Sequence, residues 1–469
     1  MIIPDVPLLW TVWIGSAVIW LGLSLLVFRR NQLTKKHAPW IILGVAAVVR
    51  LGYVFFMPVA LSDDIWRYVF DGQTLAVGQN PYVRPPEHAI KELHAAGGHE
   101  QTEWMTWINN KELVTIYQPT SQWFFAGVAK AYNIWAGDDA NGIGVATVFR
   151  LAFALLDLLI VLLLLIQLKS LGRSPWWAVM YAWSPLVIVE TAWSGHQDGI
   201  GIAAMIGSLM LAQRAWRWED KRLAGWCAIG AGVLLALAAG VKPIVMPLAL
   251  LMAWKLRSEV GGTKRILLAA GSCVLMLLAL YVPFALMEGG LSGMFETSRQ
   301  FVTRWSFNGS LHPMIEAGVR PFITEGNSWE IQQQAKRVAD IVSGVLLLVV
   351  LVLAMLFHRV PWRAATTYFF AMVCLSSTVH PWYLLWAMAL LPVAWSAGRT
   401  IVGPAVWVAS LTLPWSYWAW VNYANGGAFD GRYAIGTGLT LLVWLTVYAA
   451  LAWGAWKVRG AKAVGLSRT

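Results

Sequence analysis

Two adjacent aspartates, Asp63 and Asp64, open the segment SDDIWRYVFDGQTLAVGQNPY at residues 62–82, directly behind an apolar run. Paired carboxylates at a membrane surface suit a general base, because burial and a like-charged neighbour push one pKa towards neutrality. Arg67 can hold one of them ionised, and Tyr68 and Asp71 follow one to two helical turns on. Gly78, Asn80 and Pro81 read as the turn ending that helix, ahead of Tyr82. The plainer alternative is an acidic helix cap at the interface, since acids favour helix N-termini.

Four further constellations carry chemistry. In SPLVIVETAWSGHQDG (184–199), Glu190 falls inside an apolar run where an ionisable group is costly, with His196 and Asp198 just beyond it. That set suits a sugar hydroxyl or a metal ion. In GVKPIVMPL (240–248), Lys242 and Pro243 interrupt a long apolar stretch and leave a recessed ammonium that suits a lipid phosphate, or else a snorkelling lysine at a turn. Arg299 and Arg304, with Trp305, Asn308 and His312, suit a phosphate and a sugar ring, or form a solvated helix face. In STVHPWYLLW (377–386), His380, Trp382 and Tyr383 form either a sugar platform or an interfacial belt.

The elements that must position these residues follow from composition. Of 469 residues, 58% are hydrophobic and 13% charged, against about 45–50% and about 25% in soluble domains. A soluble enzyme, a disordered chain and a nucleic-acid-binding domain are excluded. The cysteines Cys227, Cys273 and Cys374 lie in apolar runs and make neither a disulfide framework nor a zinc pattern. The expected fold is all-α and polytopic, with about thirteen spans of near twenty residues. They are placed at 8–28, 40–60, 145–168, 176–192, 199–213, 223–240, 243–254, 266–287, 340–357, 364–379, 382–397, 402–420 and 434–456. The first is expected to remain as an uncleaved helix.

Arg29, Arg30, Lys35 and Lys36 make the first connection cytoplasmic by the positive-inside rule. Alternating from there, the inside loops are rich in Lys and Arg and hold few acids (Glu219, Asp220, Glu259), while most acids fall outside. The net charge of +11 is thus a topogenic signal rather than a nucleic-acid footprint. The chain reads as one membrane domain over 1–469 with two long outer segments, 61–144 and 288–339. Within the first, 121–136 reads as an amphipathic helix lying in the interface. Arg50, mid-span, pairs with an acid such as Asp157 or meets an aqueous cavity. All five constellations fall on the outer face, which points to an outward-facing active site.

The stretches DDIWRY…DG…GQNPY, SPLVIVE…GHQDG, VKP and HPWYLLW resemble bacterial polyprenyl-phosphate-mannose-dependent mannosyltransferases of the C-type integral membrane glycosyltransferase superfamily (GT-C). The resemblance runs from about residue 45 to 400. It implies a GT-C-like fold with interfacial helices in the first outer loop, a lipid-phosphate-linked sugar donor and inversion by a single displacement. It makes Asp63 the first candidate base and Asp64 the reserve. Ser184 stands where related sequences often have Asn, and the chain has an N-terminal span that many superfamily members lack.

The expected function is transfer of a sugar, mannose by resemblance, from a polyprenyl phosphate to a glycan or glycolipid at the periplasmic or exterior face of a bacterial plasma membrane. Lys242, Arg299, Arg304 and Arg67 are the candidate phosphate ligands. Tyr68, Asp71, Asn80, Tyr82, Glu190, His196, Asp198, Asn308, His380, Trp382 and Tyr383 are candidates for sugar and acceptor. Membrane lipids are the other expected partners, and nucleic acid is not one. The sequence identifies no cofactor, and a divalent metal is left open. Rival readings are transfer of another polyprenyl-phosphate sugar, a polymerase or ligase using a diphosphate donor, and a transporter or flippase. A transporter should place polar groups near the midplane of several helices, whereas here the outer rim is the richer.

Overall fold

A computed structural model describes residues 11, 13–22, 36–59, 61–96, 100–137, 142–217, 219–257, 261–358, 360–419 and 437–463. Positions 8–10, 12, 23–28, 60, 420 and 434–436 of the expected spans lie outside the described residues, as do Arg29, Arg30, Lys35 and Glu259. The described chain is helical. Among these residues the extended pairing is confined to Phe307 and Asn308 against Thr378.

Among the described residues six helices are long and apolar enough to cross a membrane: Ala38–Phe56, Gly142–Ser170, Lys221–Ala239, Gly262–Leu286, Ser328–Phe357 and Gly438–Gly460. Shorter apolar helices cover Trp13–Gly22 and Pro243–Leu256. The expected span at 199–213 lies within the unbroken helix Asp198–Arg217, while the remaining ones fall on shorter or broken helices, where proline removes an N–H and clashes with the preceding turn. The run at 176–192 is a chain of turns restarted at Pro175 and Pro185. The helix expected to begin at 340 begins at Ser328, where Asn327 and Glu330 form a capping box.

The chain clusters into two compact units. One comprises Leu43–Leu163 and Ile188–Gln300; the other holds Leu164–Val187 and Phe301–Thr469 together with the stretch up to Ile42. In the first unit, α1 (Ala38–Phe56) leads through Leu61, left-handed at φ 74°, into α2 (Asp64–Ala76). The helix expected at 121–136 is α3 (Pro119–Ala136), and it packs along α2. Tyr68 stacks on Phe125 at 4.8 Å. The contact is close because position 72 is glycine: a Cβ there would lie 2.7 Å from the Phe125 carbonyl oxygen. Beyond α4 (Gly142–Ser170), the hairpin of α5 (Asp198–Arg217) and α6 (Lys221–Ala239) packs against α7 (Gly262–Leu286).

In the second unit α8 (Leu311–Val319), α9 (Ser328–Phe357), α10 (Pro361–Leu375) and α11 (Leu385–Ser396) pack in sequence, and α12 (Gly403–Thr412) lies against α13 (Thr437–Ala463). Trp386 stacks on Phe369 at 5.6 Å.

Candidate active site

The helical repeat puts Asp64, Arg67, Tyr68 and Asp71 on one face of α2. Asp63 occupies the N-cap position, yet its side chain caps nothing, and its buried Oδ1 has no hydrogen-bond partner among the described residues. The plain capping role is therefore not what Asp63 performs. Asp64 has the opposite character. Its Oδ1 accepts from Asn109 Nδ2 at 3.2 Å, and His196 Nδ1 lies 3.7 Å from Oδ2. One turn deeper, Arg67 bonds Asp71 Oδ1 at 3.2 Å and donates to the Leu113 carbonyl at 2.7 Å. Gln122 Nε2 completes that clasp on Asp71 Oδ2 at 3.1 Å. Arg67 thus holds Asp71 and the long loop together.

The second segment arrives through a π-turn over Val189–Trp193, a wide turn frequent at functional sites. It buries Glu190, whose Oε2 lies 3.3 Å from His196 Nε2, so the imidazole stands between Glu190 and Asp64. Gly195, at φ 72°, makes the bend; a Cβ there would sit 2.7 Å from the Ile65 side chain. Arg150 fixes both segments from below. Its buried guanidinium donates to the Tyr53, Met57 and Ala192 carbonyls at 2.5, 3.0 and 3.1 Å. It therefore ties the end of α1 to the π-turn. Arg50 bonds Asp157 at 2.5 Å, and Thr191 donates to the same carboxylate at 3.2 Å.

Lys242 stands at the break between α6 and the turn Pro243–Val245, in extended backbone. Its ammonium is 2.5 Å from Asp198 Oδ1 at the start of α5; the lysine side chain is 27% exposed and the aspartate 2%. Pro243 begins the wall of an apolar cavity of about 370 Å³, lined also by Met246, Leu277, Leu278 and Tyr281.

Burial pushes the Asp63 carboxyl from an ordinary 3.8 up to about 6, and the neighbouring Asp64 charge adds to the rise. Burial raises Asp64 as well. There the hydrogen bond from Asn109, the Lys242 ammonium and the Tyr117 hydroxyl oppose it, while the Asp198 charge reinforces it. Asp71 is raised by burial against the pull of Arg67, Thr115 and Gln122. Tyr68 and Tyr117 are pushed well up, again by burial, and stay neutral donors. Among the described residues no group of three or more His, Cys, Asp or Glu is arranged to hold a metal.

The model of the family described as "Alpha-(1->6)-mannopyranosyltransferase, N-terminal domain" matches residues 5–258, more than half of the chain and the stretch that holds every residue of this cluster. The chain belongs to that family. No curated protein matches it. Among solved structures it is similar to the Archaeoglobus fulgidus oligosaccharyltransferase. The apo form matches at TM-score 0.44 and 13% identity, over 89% of this chain and 56% of that one. The complex with Zn and sulfate matches at 0.38 and 15%, over 88% and 53%. The chain thus spans about half the length of these structures, and at that similarity neither speaks to its chemistry.

The remaining candidates sit elsewhere in this mannosyltransferase-family chain. Asn80 Nδ2 donates to the Glu288 and Gly290 carbonyls at 3.0 and 2.8 Å, and the Tyr82 hydroxyl to the Tyr117 carbonyl at 2.9 Å. Both are spent on main chain. Arg299 is exposed and forks onto Glu296 at 2.9 and 3.1 Å, and Arg304 is exposed in the second unit. In that unit His380 lies between Phe307 and Trp382, at 4.6 and 4.3 Å, with Tyr383 edge-on at 5.5 Å. Asn308 is fully buried at φ 50°, with neither side-chain amide atom partnered among the described residues. His312 bonds Asp340 at 2.8 Å. Sequence reasoning passed over Asn109, Tyr117 and Gln122, which the long loop and α3 bring in from afar, and the role of Arg150. An arginine deep in an apolar run was the available signal for the last.

Proposed function

We propose that this chain is an inverting membrane glycosyltransferase that moves mannose from a polyprenyl-phosphate donor to a glycan or glycolipid acceptor at the extracytoplasmic face. The observation that carries the reading is the pairing, within one unit, of a half-buried acid pair with a cation that directly precedes Pro243 in the wall of an apolar cavity. The family match supports mannose as the sugar. The cavity suits a prenyl chain, and Lys242 suits its phosphate.

In the reaction, the acceptor hydroxyl oxygen forms a bond to the anomeric carbon as the bond from that carbon to the phosphate oxygen breaks. The hydroxyl proton passes to Asp63, whose raised carboxyl and vacant Oδ1 match a general base near neutrality. The departing phosphate gains negative charge, which the Lys242 ammonium offsets in a partly desolvated position. Asp64, tied to Asn109 and facing His196, is the reserve base and orders the cluster.

The test is mannosyl transfer in liposomes from synthetic polyprenyl-phosphate-mannose to a panel of mannosides, comparing wild type with Asp63→Asn and Asp64→Asn. Transfer lost in one variant that remains folded supports the reading and names the base. Donor movement across the bilayer without transfer, indifferent to both variants, overturns it in favour of a transporter.

A further inference from the structure

Each cation the first unit aims into the acidic cluster already holds a carboxylate. Arg67 is locked on Asp71, and Lys242 on Asp198. An anionic headgroup arriving above the cavity beside Pro243 must therefore compete for Lys242. The two halves of that pair are built unequally. Asp198 is almost wholly buried at the first turn of α5, where the helix N-terminus favours its charge with or without the lysine. Lys242 is the more exposed partner, on a flexible stem, and its ammonium has three donors. The backbone beneath it is pinned, because Thr120 N donates to the Gly240 carbonyl at 2.9 Å. The carboxylate and the turn are fixed, and the lysine is the more exposed and more flexible half of the pair.

We propose that Asp198 is a resident stand-in for a prenyl phosphate, and that the incoming phosphate takes the Lys242 ammonium from it. This rests on the polyprenyl-phosphate reading above and gives it a binding order. The exchange also bears on Asp64, the reserve base. Lys242 steadies the Asp64 charge and Asp198 opposes it. Drawing the ammonium towards the phosphate thus leaves Asp64 facing Asp198, with Asn109, Tyr117 and His196 unchanged around it, and makes it a better proton acceptor once a donor is in place. After transfer, Asp198 is poised to recover Lys242 and help the spent phosphate leave.

The test is a titration of the detergent-solubilised full chain with a fifteen-carbon prenyl phosphate, and in parallel with inorganic phosphate. Asp198→Asn removes the competitor and is expected to tighten prenyl phosphate binding by about five- to tenfold; Lys242→Gln is expected to weaken it. On the Lys242→Gln background, Asp198→Asn is expected to change little. Asp198→Ser, which keeps a favourable helix start, repeats the measurement if the asparagine variant misfolds. In turnover, Asp198→Asn is expected to lower donor KM and kcat together, since product leaves more slowly. Weaker binding in Asp198→Asn, or equal tightening with and without Lys242, overturns the exchange. Inorganic phosphate binding as tightly as the prenyl phosphate assigns the site to a free anion and overturns its lipid half. Because the titration needs no transfer, an intact exchange without mannosyl transfer would sink the proposed activity alone.

Discussion

Around Asp64 in the first unit, polar groups answer one another with charge: His196 and Glu190 on one side, Lys242 and Asp198 on the other. In the second unit the polar residues of the HPWY segment are met by rings, with His380 between Phe307 and Trp382, while Asn308 stays buried without a partner for its amide among the described residues. Buried charges are expensive unless paired, and the five ionisable groups of this cluster stand in reach of one another's opposite charges. Stacked rings cost little to hold and present flat apolar faces of the kind that pack on sugar rings. Under the proposed function, the first unit carries the bond-making groups and the second offers ring faces to a sugar.

The largest expected effect breaks the comparison if it fails. Asp63→Asn should lower kcat by about a thousandfold, within the range for a lost general base, while Trp382→Ala leaves kcat within a few-fold and acts on acceptor KM. Equal loss of kcat in both would abolish the distinction between the units. Next, Arg150→Met leaves three buried carbonyls without their donor and should cost about 3 kcal/mol or more, read as a fall in the detergent melting temperature. A smaller effect sharpens the assignment of the base. With its carboxyl near 6, Asp63 should give kcat/KM a rising limb centred near pH 6, flattened in the Asp63→Asn residual activity. The folded carboxyl binds its proton more tightly than the unfolded chain does. Its contribution to stability is therefore present below an ordinary 3.8 and lost as pH rises through about 6. Asp63→Asn should accordingly melt slightly higher than wild type at pH 7. The smallest effect is Asn308→Gly, expected to shift stability by less than about 1 kcal/mol because relief of the left-handed backbone offsets lost packing. A large loss of transfer with unchanged melting would give the empty Asn308 amide a substrate.

Much of the first unit was legible in the sequence because it is local. Asp63 to Asp71 fall on one helix, and Glu190 to Asp198 on one short segment, so spacing alone groups them. Of the two settings open to a mid-span Arg50, pairing with Asp157 is the one realised. What spacing does not carry is which side chains are already occupied. Asn80 and Tyr82 look available in GQNPY, yet both are consumed by carbonyls that arrive from residues far along the chain. Arg67 was expected to serve the acid pair or a phosphate, but Asp71 one turn away claims it. Asn109 reaches Asp64 from the far end of a loop whose path no periodicity encodes. The start of α9 at Ser328 was written in Asn327 and Glu330, though its polar first turns hid it from hydropathy.

The π-turn at Val189–Trp193 makes this site depend on chain count as well as residue type. A wide turn of this kind is an α-helix carrying one residue too many. Deleting a single residue there would let the turn wind tighter and rotate the segment beyond it by about 100°, the angle per residue of an α-helix. His196 would then lose its place between Asp64 and Glu190. Hydropathy and charge would barely change, and the chain would still partition into a bilayer. Such a deletion would separate insertion from activity more cleanly than any substitution.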